Sequence, residues 1–218
     1  EYYHDAVDAL VEVLQKPRMS LLTFFDSFCS RILTVMEGIE SNTELIYYIQ
    51  MYTKLISNSS NNTTPFLNRS IQLINKRFCK ELRNEFLDMI LAFLISVRDA
   101  FSPYASDTVC LLISCLDDSM MSDIEVSEKV LLAFSIVGIY ANDLLYLIIP
   151  KICDAILCDQ TLIEVKLMSF NSLSTIAKSS DLFQCLSILV RAISYGLHKC
   201  NENSIIITFE TNENIQCS

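Results

Sequence analysis

The chain has 218 residues, of which 51% are apolar and 19% charged, and its formal net charge is −10. This is enough apolar material for one large domain or a short array of repeats. The acidic balance argues against nucleic-acid binding, which normally needs clustered Lys and Arg side chains. One short basic stretch contains Lys76, Arg77, Lys80 and Arg83, and we interpret it as a solvated helix end or loop.

Glycine and proline are scarce, with 3 and 4 residues respectively. A β-protein of this length needs many turns, and turns depend on these two residue types. Their scarcity predicts an all-α protein with short connections.

The nine cysteines indicate a reducing compartment, because their number is odd, no CxxC motif occurs, and most fall on apolar positions of helical patterns. We therefore expect a cytoplasmic or nuclear protein with free thiols. The cysteines are Cys29, Cys79, Cys110, Cys115, Cys153, Cys158, Cys185, Cys200 and Cys217. The two histidines, His4 and His198, are far apart in sequence, so we expect no zinc site.

The first third of the chain predicts three helices and one polar loop. An apolar stripe predicts a helix over 3–15, which Pro17 ends. A second helix is predicted through "SLLTFFDSFCSRILTVMEG", with Gly38 as its C-cap, and a third through "TELIYYIQMYTKLI". The loop at 57–65 is "SNSSNNTTP", and its last two residues form a good N-cap and first-turn pair for the helix that follows.

From the "RNEFLDMILAFLISVRDAF" segment onward, helices are predicted in pairs. One pair is "SEKVLLAFSIVGIYAND" with "LLYLIIPKICDAILCD", and the next is "EVKLMSFNSLSTIAKSSD" with "LFQCLSILVRAISYGL". Asp143-Leu144 aligns with Asp181-Leu182 at an offset of 38 residues, and Asp118 lies 41 residues before Asp159. A period of about 40 residues is typical of HEAT and armadillo-type repeats, which form an α-solenoid.

The apolar stretch 144–159 has two possible interpretations, a membrane span or a buried helix of such an array. A membrane span needs about 20 mainly apolar residues, and Asn142, Asp143, Lys151 and Asp154 divide the region. We favour the buried helix, with Pro150 in its first turns, where a missing backbone donor is tolerated. The predicted core of this repeat is Leu131, Phe134, Ile136, Ile139, Leu145, Ile148, Ile149, Ile152 and Ile156.

Two groups of residues have a composition found in catalytic sites. Asp117 and Asp118 could form a carboxylate pair, but their match to Asp159 favours a turn at a helix end. His198 and Cys200 could suggest a thiol nucleophile, but nothing supplies a third, orienting group. No phosphate-binding loop or nucleophile elbow occurs. The sequence therefore predicts no catalytic, cofactor-binding or metal-ligating residue.

Four glycosylation sequons begin at Asn58, Asn61, Asn62 and Asn68. Glycosylation at these sites requires a secretory compartment, which the free cysteines argue against. Phosphorylation of the loop's serines and threonines is the alternative. We interpret the segment as an ordinary surface loop.

In its order of segments the chain resembles the HEAT-repeat region of the target-of-rapamycin (TOR) kinases, upstream of the FAT and kinase domains. The resemblance covers residues 1–200. It begins at "EYYHDAVDALVEVLQKPRMS", continues through "ELRNEFLDMILAFLISVRDAFSPYASDTVCLLISCLDD", and is strongest over "SEKVLLAFSIVGIYANDLLYLIIPKICDAILCD", with the Ala-Asn turn and Pro150 in place. "EVKLMSFNSLSTIAKSSDLFQCLSILVRAI" keeps the register, whereas the tail 201–218 departs from the family pattern.

The resemblance implies a scaffold of about five helix pairs over 1–200, cut from a longer protein. Its partners would be adaptor subunits of a TOR complex and a second copy of the kinase, in the cytoplasm. ATP and Mg²⁺ would belong to a kinase domain elsewhere in the parent protein, and this segment would not be an enzyme. One alternative is an adaptor or transport scaffold of the HEAT or armadillo type, which the absence of Trp disfavours. Another is an enzyme, but no residue pattern in the sequence supports it.

Overall fold

The computed structural model describes residues 19–59 and 63–202, which form α-helices joined by short turns and contain no β-strand. The prediction of an all-α protein is confirmed. The helices are α1 (Met19–Gly38), α2 (Asn42–Asn58), α3 (Thr64–Arg77), α4 (Arg83–Val97), α5 (Ser102–Ser119), α6 (Ile124–Tyr140), α7 (Leu145–Leu157), α8 (Ile163–Ala177) and α9 (Leu186–Glu202). The predicted helix 3–15 and the tail after residue 202 lie outside the described residues.

Local capping chemistry fixes several of these boundaries. The side chains of Ser41 and Asp123 accept hydrogen bonds from backbone N–H groups in the first turns of α2 and α6. Pro65 and Pro103 occupy the first turns of α3 and α5, where a backbone donor is not needed. Arg98, with a left-handed φ of 47°, ends α4. Residues 83–101 are therefore α4 plus a short 3-10 turn, Arg98–Phe101, where the sequence predicted one helix.

Two other predicted boundaries need correction. Gly38 is the last residue of α1, but its φ is not positive, so it is not a left-handed cap. The predicted loop 57–65 is shorter, because α2 continues to Asn58 and α3 begins at Thr64. At the first edge of the loop, Ser57 and Asn58 belong to α2, and their side chains donate to carbonyls one turn earlier.

The helices form two layers. Each helix contacts the next helix in the chain, the next but one, or both. Helices α2, α4, α6 and α8 pack side by side in one layer. In the other layer α1 packs on α3, and α5, α7 and α9 pack in series. Contact between α3 and α5 is marginal at most, which divides the second layer.

Several of the polar contacts between helices join residues about 40 positions apart. The Oγ of Ser96 donates to the carbonyl of Ile56, 40 residues earlier, and the Oγ of Ser172 donates to that of Leu131, 41 residues earlier. Lys129 and Asp88 form an ion pair across a separation of 41 residues, at 3.0 Å. These separations equal the period predicted from sequence.

Helix α7 contains the apolar stretch with the proline. Pro150 is in its second turn, and Ile148, Ile149, Ile152 and Ile156 are fully buried. Within residues 19–59 and 63–202, no helix is long and apolar enough to cross a membrane. The interpretation of this stretch as a buried helix agrees with the burial of its isoleucines.

The predicted core of this repeat is correct at seven of nine positions, with Ile136 half-buried and Ile139 37% exposed. Ile139 lies seven residues after Leu132, which is also exposed. Residues seven apart share one face of a helix, and this face of α6 is not covered by α4, α8, α5 or α7. The prediction for Ile139 is therefore wrong.

Candidate functional site

A concave feature of the described residues lies where α3 and α5 fail to pack together. It is a cavity of about 560 Å³ between the end of α3, the start of α4 and the end of α5. We call it the α3–α5 cavity. Its lining residues are Phe78, Cys79, Lys80, Arg83, Ser114, Cys115, Asp118, Ser122 and Asp123.

Arg83 is the most buried charged residue of this cavity, with only 9% of its surface exposed. Its Nη2 donates to Asp123 Oδ2 at 3.1 Å. Asp123 Oδ1 accepts from the backbone N–H of Val126, so this carboxylate both caps α6 and neutralises Arg83. The Nε of Arg83 is buried and has no hydrogen-bond partner among the described residues.

The basic stretch around the cavity is only partly the solvated surface that the sequence suggested. Lys76 and Lys80 are exposed. Arg77, in contrast, donates from Nη1 to the carbonyl of Ile39 at 2.6 Å and from Nη2 to that of Glu40, and Arg83 is buried. The interpretation is therefore wrong for Arg83, and it holds in part for Arg77, which is half-buried at the end of α3. Each arginine satisfies a specific acceptor in a neighbouring element, which a run of charges alone does not reveal.

The sequence candidates for catalysis are dispersed. Asp117, at the end of α5, accepts from Lys151 Nζ of α7 at 3.0 Å, so its contact joins two helices. Asp118 lines the cavity. His198 is exposed on α9. The side chain of Cys200 lies outside the described residues.

The two thiols of the cavity differ in environment. Burial raises the pKa of the Cys115 thiol to about 11, so at neutral pH it is protonated and a poor nucleophile. Cys79 is half-buried, and its Sγ accepts from Asn42 Nδ2 at 3.8 Å. Among the described residues no cysteine forms a disulfide, and no group of three potential metal ligands comes together.

A second, shallower depression of about 390 Å³ lies between α2 and α4. Its walls include Lys54 and Asp88, and its floor includes Ala92. Asp88 pairs with Lys129 of α6, so its carboxylate stabilises helix packing. Asp88 therefore has a structural role.

The last two described helices expose apolar stripes. On α8 the residues are Ile163 and Leu167, and on α9 they are Leu186, Val190, Ile193 and Leu197. The α8 residues are spaced i and i+4, and the α9 residues i, i+4, i+7 and i+11, so each set lies on one face of its helix. We call them the α8 stripe and the α9 stripe. Phe170, the next apolar residue of α8 at this spacing, is half-buried and lies against Gly196 of α9.

No family model matches this chain, and no curated protein matches it.

Proposed function

We propose that this chain is a non-catalytic scaffold, an α-solenoid of HEAT-type helix pairs whose surfaces bind other proteins. The observation that carries the proposal is the separation of about 40 residues between the partners of several polar contacts that join neighbouring helices of one layer, such as Ile56 with Ser96 and Leu131 with Ser172. In a solenoid each repeat contacts only its neighbours, so equivalent positions meet at one repeat length.

The α8 and α9 stripes support the same proposal. In the interior, α6 turns an apolar face toward α8, and that face is covered. The α8 stripe, with Leu167 41% exposed, and the α9 stripe, with Val190 54% exposed, are the corresponding uncovered faces. Their occupant in this proposal is a further helix pair of the same type, because this is what covers the equivalent faces of α6 and α7.

Sedimentation velocity tests the scaffold proposal. We expect the 218-residue chain to self-associate through these stripes and to become monomeric when Val190 and Ile193 are changed to Lys. Ile95→Lys, at an exposed apolar position on α4, is the matched control and should leave self-association unchanged. A monodisperse monomer before any substitution would contradict the proposal, since it would show that the exposed faces need no partner.

We further propose that the solenoid is part of a TOR-like Ser/Thr protein kinase, in which it provides a surface for dimerisation and adaptor binding in nutrient and growth signalling. The support is the resemblance over 1–200, with the Ala141-Asn142 turn and Pro150 at matching places. The cytoplasm is the proposed compartment, in keeping with the free thiols. Sequencing the reading frame that contains this chain tests the assignment. A kinase domain downstream would support it, and a stop codon shortly after Ser218 would overturn it in favour of an independent adaptor.

A further inference from the structure

The α3–α5 cavity contains a buried cation with unused hydrogen-bonding capacity. A guanidinium has five N–H donors, and the hydrogen bond found for Arg83 uses one, from Nη2 to Asp123. Its Nε–H is buried without a partner. An unsatisfied buried donor costs free energy, and a ligand that supplies an acceptor would recover it.

The other walls of the cavity narrow the chemistry of that ligand. Phe78 supplies an apolar wall, and Lys80 is an exposed second cation. Asp118 and Asp123 are also in the lining, so two cations face two anions. With equal numbers of positive and negative side chains, the cavity disfavours the binding of a doubly charged phosphate more strongly than that of a singly charged carboxylate. The volume of about 560 Å³ lies within the range of roughly 300–1,000 Å³ typical of ligand sites.

We propose that the α3–α5 cavity binds an acidic side chain, Glu or Asp, from a peptide segment of a protein partner. The carboxylate accepts from Arg83, as planar guanidinium and carboxylate groups match well, and Lys80 attracts it at the exposed side. Phe78 covers the methylene groups of the inserted side chain. The inference rests on the proposed scaffold function and gives it one specific partner chemistry.

The test uses the ¹⁵N-labelled 218-residue chain and the peptide acetyl-(Glu)₄-amide, followed by NMR at the Arg83 Nε–H and at the backbone N–H groups of Cys79 and Ser114. We expect saturable shifts at these positions with the glutamate peptide and none with acetyl-(Gln)₄-amide. Because the whole chain carries a charge of −10, binding of an acidic peptide would have to come from a local site. An equal or larger effect of a tetralysine peptide, or stronger binding of a phosphoserine peptide, would overturn the assignment to a carboxylate.

Variants separate the cavity from general charge effects. Lys80→Gln should weaken peptide binding several-fold, and Lys76→Gln, an exposed lysine of the same basic stretch that does not line the cavity, should leave it unchanged. Arg83→Lys, which keeps the charge but removes the Nε–H donor, should abolish the saturable shifts. Should that variant fail to fold, the comparison of Lys80 with Lys76 still decides.

Equal weakening by the two lysine variants, or no saturable shift with the glutamate peptide, would overturn the proposal. If the chain self-associates through the α8 and α9 stripes but does not bind the glutamate peptide, the cavity proposal is wrong and the scaffold proposal stands. If the chain is monomeric and binds the glutamate peptide, the scaffold proposal is wrong and the proposed carboxylate site in the α3–α5 cavity stands.

Discussion

The α6–α8 interface and the α8 stripe lie on two sides of the same helix, yet they differ in what covers them. At the interface, Ser172 and Ile176 of α8 meet Leu131, Ser135 and Gly138 of α6. A Cβ atom added at Gly138 would lie 3.1 Å from Ile176 Cγ1, so the two helices approach closely through small residues. On the other side of α8, bulky apolar residues face outward.

This difference shows what helical spacing indicates and what it does not. Both faces follow the helical spacing that marks a packing surface. Only the interior face has polar atoms that bond across to the next helix. The spacing of apolar residues therefore indicates that a helix face packs against another element. Small and hydroxyl residues on that face indicate how closely the two helices approach.

The largest predicted effect comes from truncating the interior core. Phe134→Ala removes a fully buried ring from α6 and should lower the free energy of unfolding by about 3–5 kcal/mol. Leu197→Ala, in the α9 stripe, should change the free energy of unfolding of the dissociated chain by less than about 0.5 kcal/mol. Urea unfolding followed by circular dichroism measures both. Similar losses for the two variants would mean that the α9 stripe is covered.

Loss of the cap and ion pair at Asp123 comes next. Asp123→Ala removes the N-cap of α6 and leaves the guanidinium of Arg83 buried without its partner, so we expect a loss of about 3 kcal/mol. Asp117→Ala breaks the more exposed pair with Lys151 and should cost at most about 1 kcal/mol. Thermal unfolding of the two variants provides the measurement, and equal midpoints would argue against a structural role of the Arg83–Asp123 pair.

The serine contacts of the interior interface should contribute less. Ser172 Oγ donates to the Leu131 carbonyl at 2.9 Å and lies 2.7 Å from Ser135 Oγ. We expect Ser172→Ala and Ser135→Ala to cost about 1 kcal/mol each, with losses that do not add in the double variant because the two side chains share partners. Ser174→Ala, on the exposed side of α8, is the control and should be neutral. Strict additivity would contradict a shared network.

The smallest effect is expected at the exposed contact of α9 with the turn before α8. The hydrogen bond from Tyr195 Oη, with help from the charges of Lys199 and Lys166, lowers the pKa of Asp159. A carboxyl whose pKa is lowered in the folded state adds stability above its ordinary pKa and loses it as the pH falls through the folded value. The contribution is small because the group is exposed to solvent.

A ¹³C NMR titration tests this contact directly. Tyr195→Phe should raise the pKa of Asp159 toward its ordinary value, and Tyr146→Phe, on the exposed side of α7, should leave it unchanged. An unchanged pKa in Tyr195→Phe would show that the contact does not persist in solution.

Much of the fold follows from periodicity in the sequence. The helices after residue 83, the buried face of α7 and the separation of about 40 residues in several helix contacts were predictable, because apolar spacing and turn residues report on local geometry. The break at Arg98 was not, because a single left-handed residue leaves no pattern in its neighbours. Ile139 was predicted to be buried but is exposed. An apolar residue near a helix end fits the helical spacing whether or not a neighbouring helix covers it.

The candidate site was beyond sequence reasoning for a different physical reason. The α3–α5 cavity exists because two helices do not pack, and periodicity within one helix carries no information about a missing contact. Arg83 looked like part of a solvated charge run, since charged residues are rarely buried unless paired. Its partner, Asp123, lies 40 residues away; this separation matches the predicted period, which could therefore have suggested the pair.

The stacking of each helix only on its nearest neighbours has a consequence for folding. Contacts between residues close in sequence form quickly, because little loop entropy is lost in closing them. The cooperativity of unfolding in such a chain also depends on the strength of each interface between neighbouring helices. Where an interface is weak, the helices on its two sides can unfold independently. Helix α2 packs extensively on α4, whereas α3 contacts α4 only slightly and α5 marginally at most. Hydrogen exchange should therefore be slowest in the backbone amides of α6 and α7 and faster in those of α1 and α3.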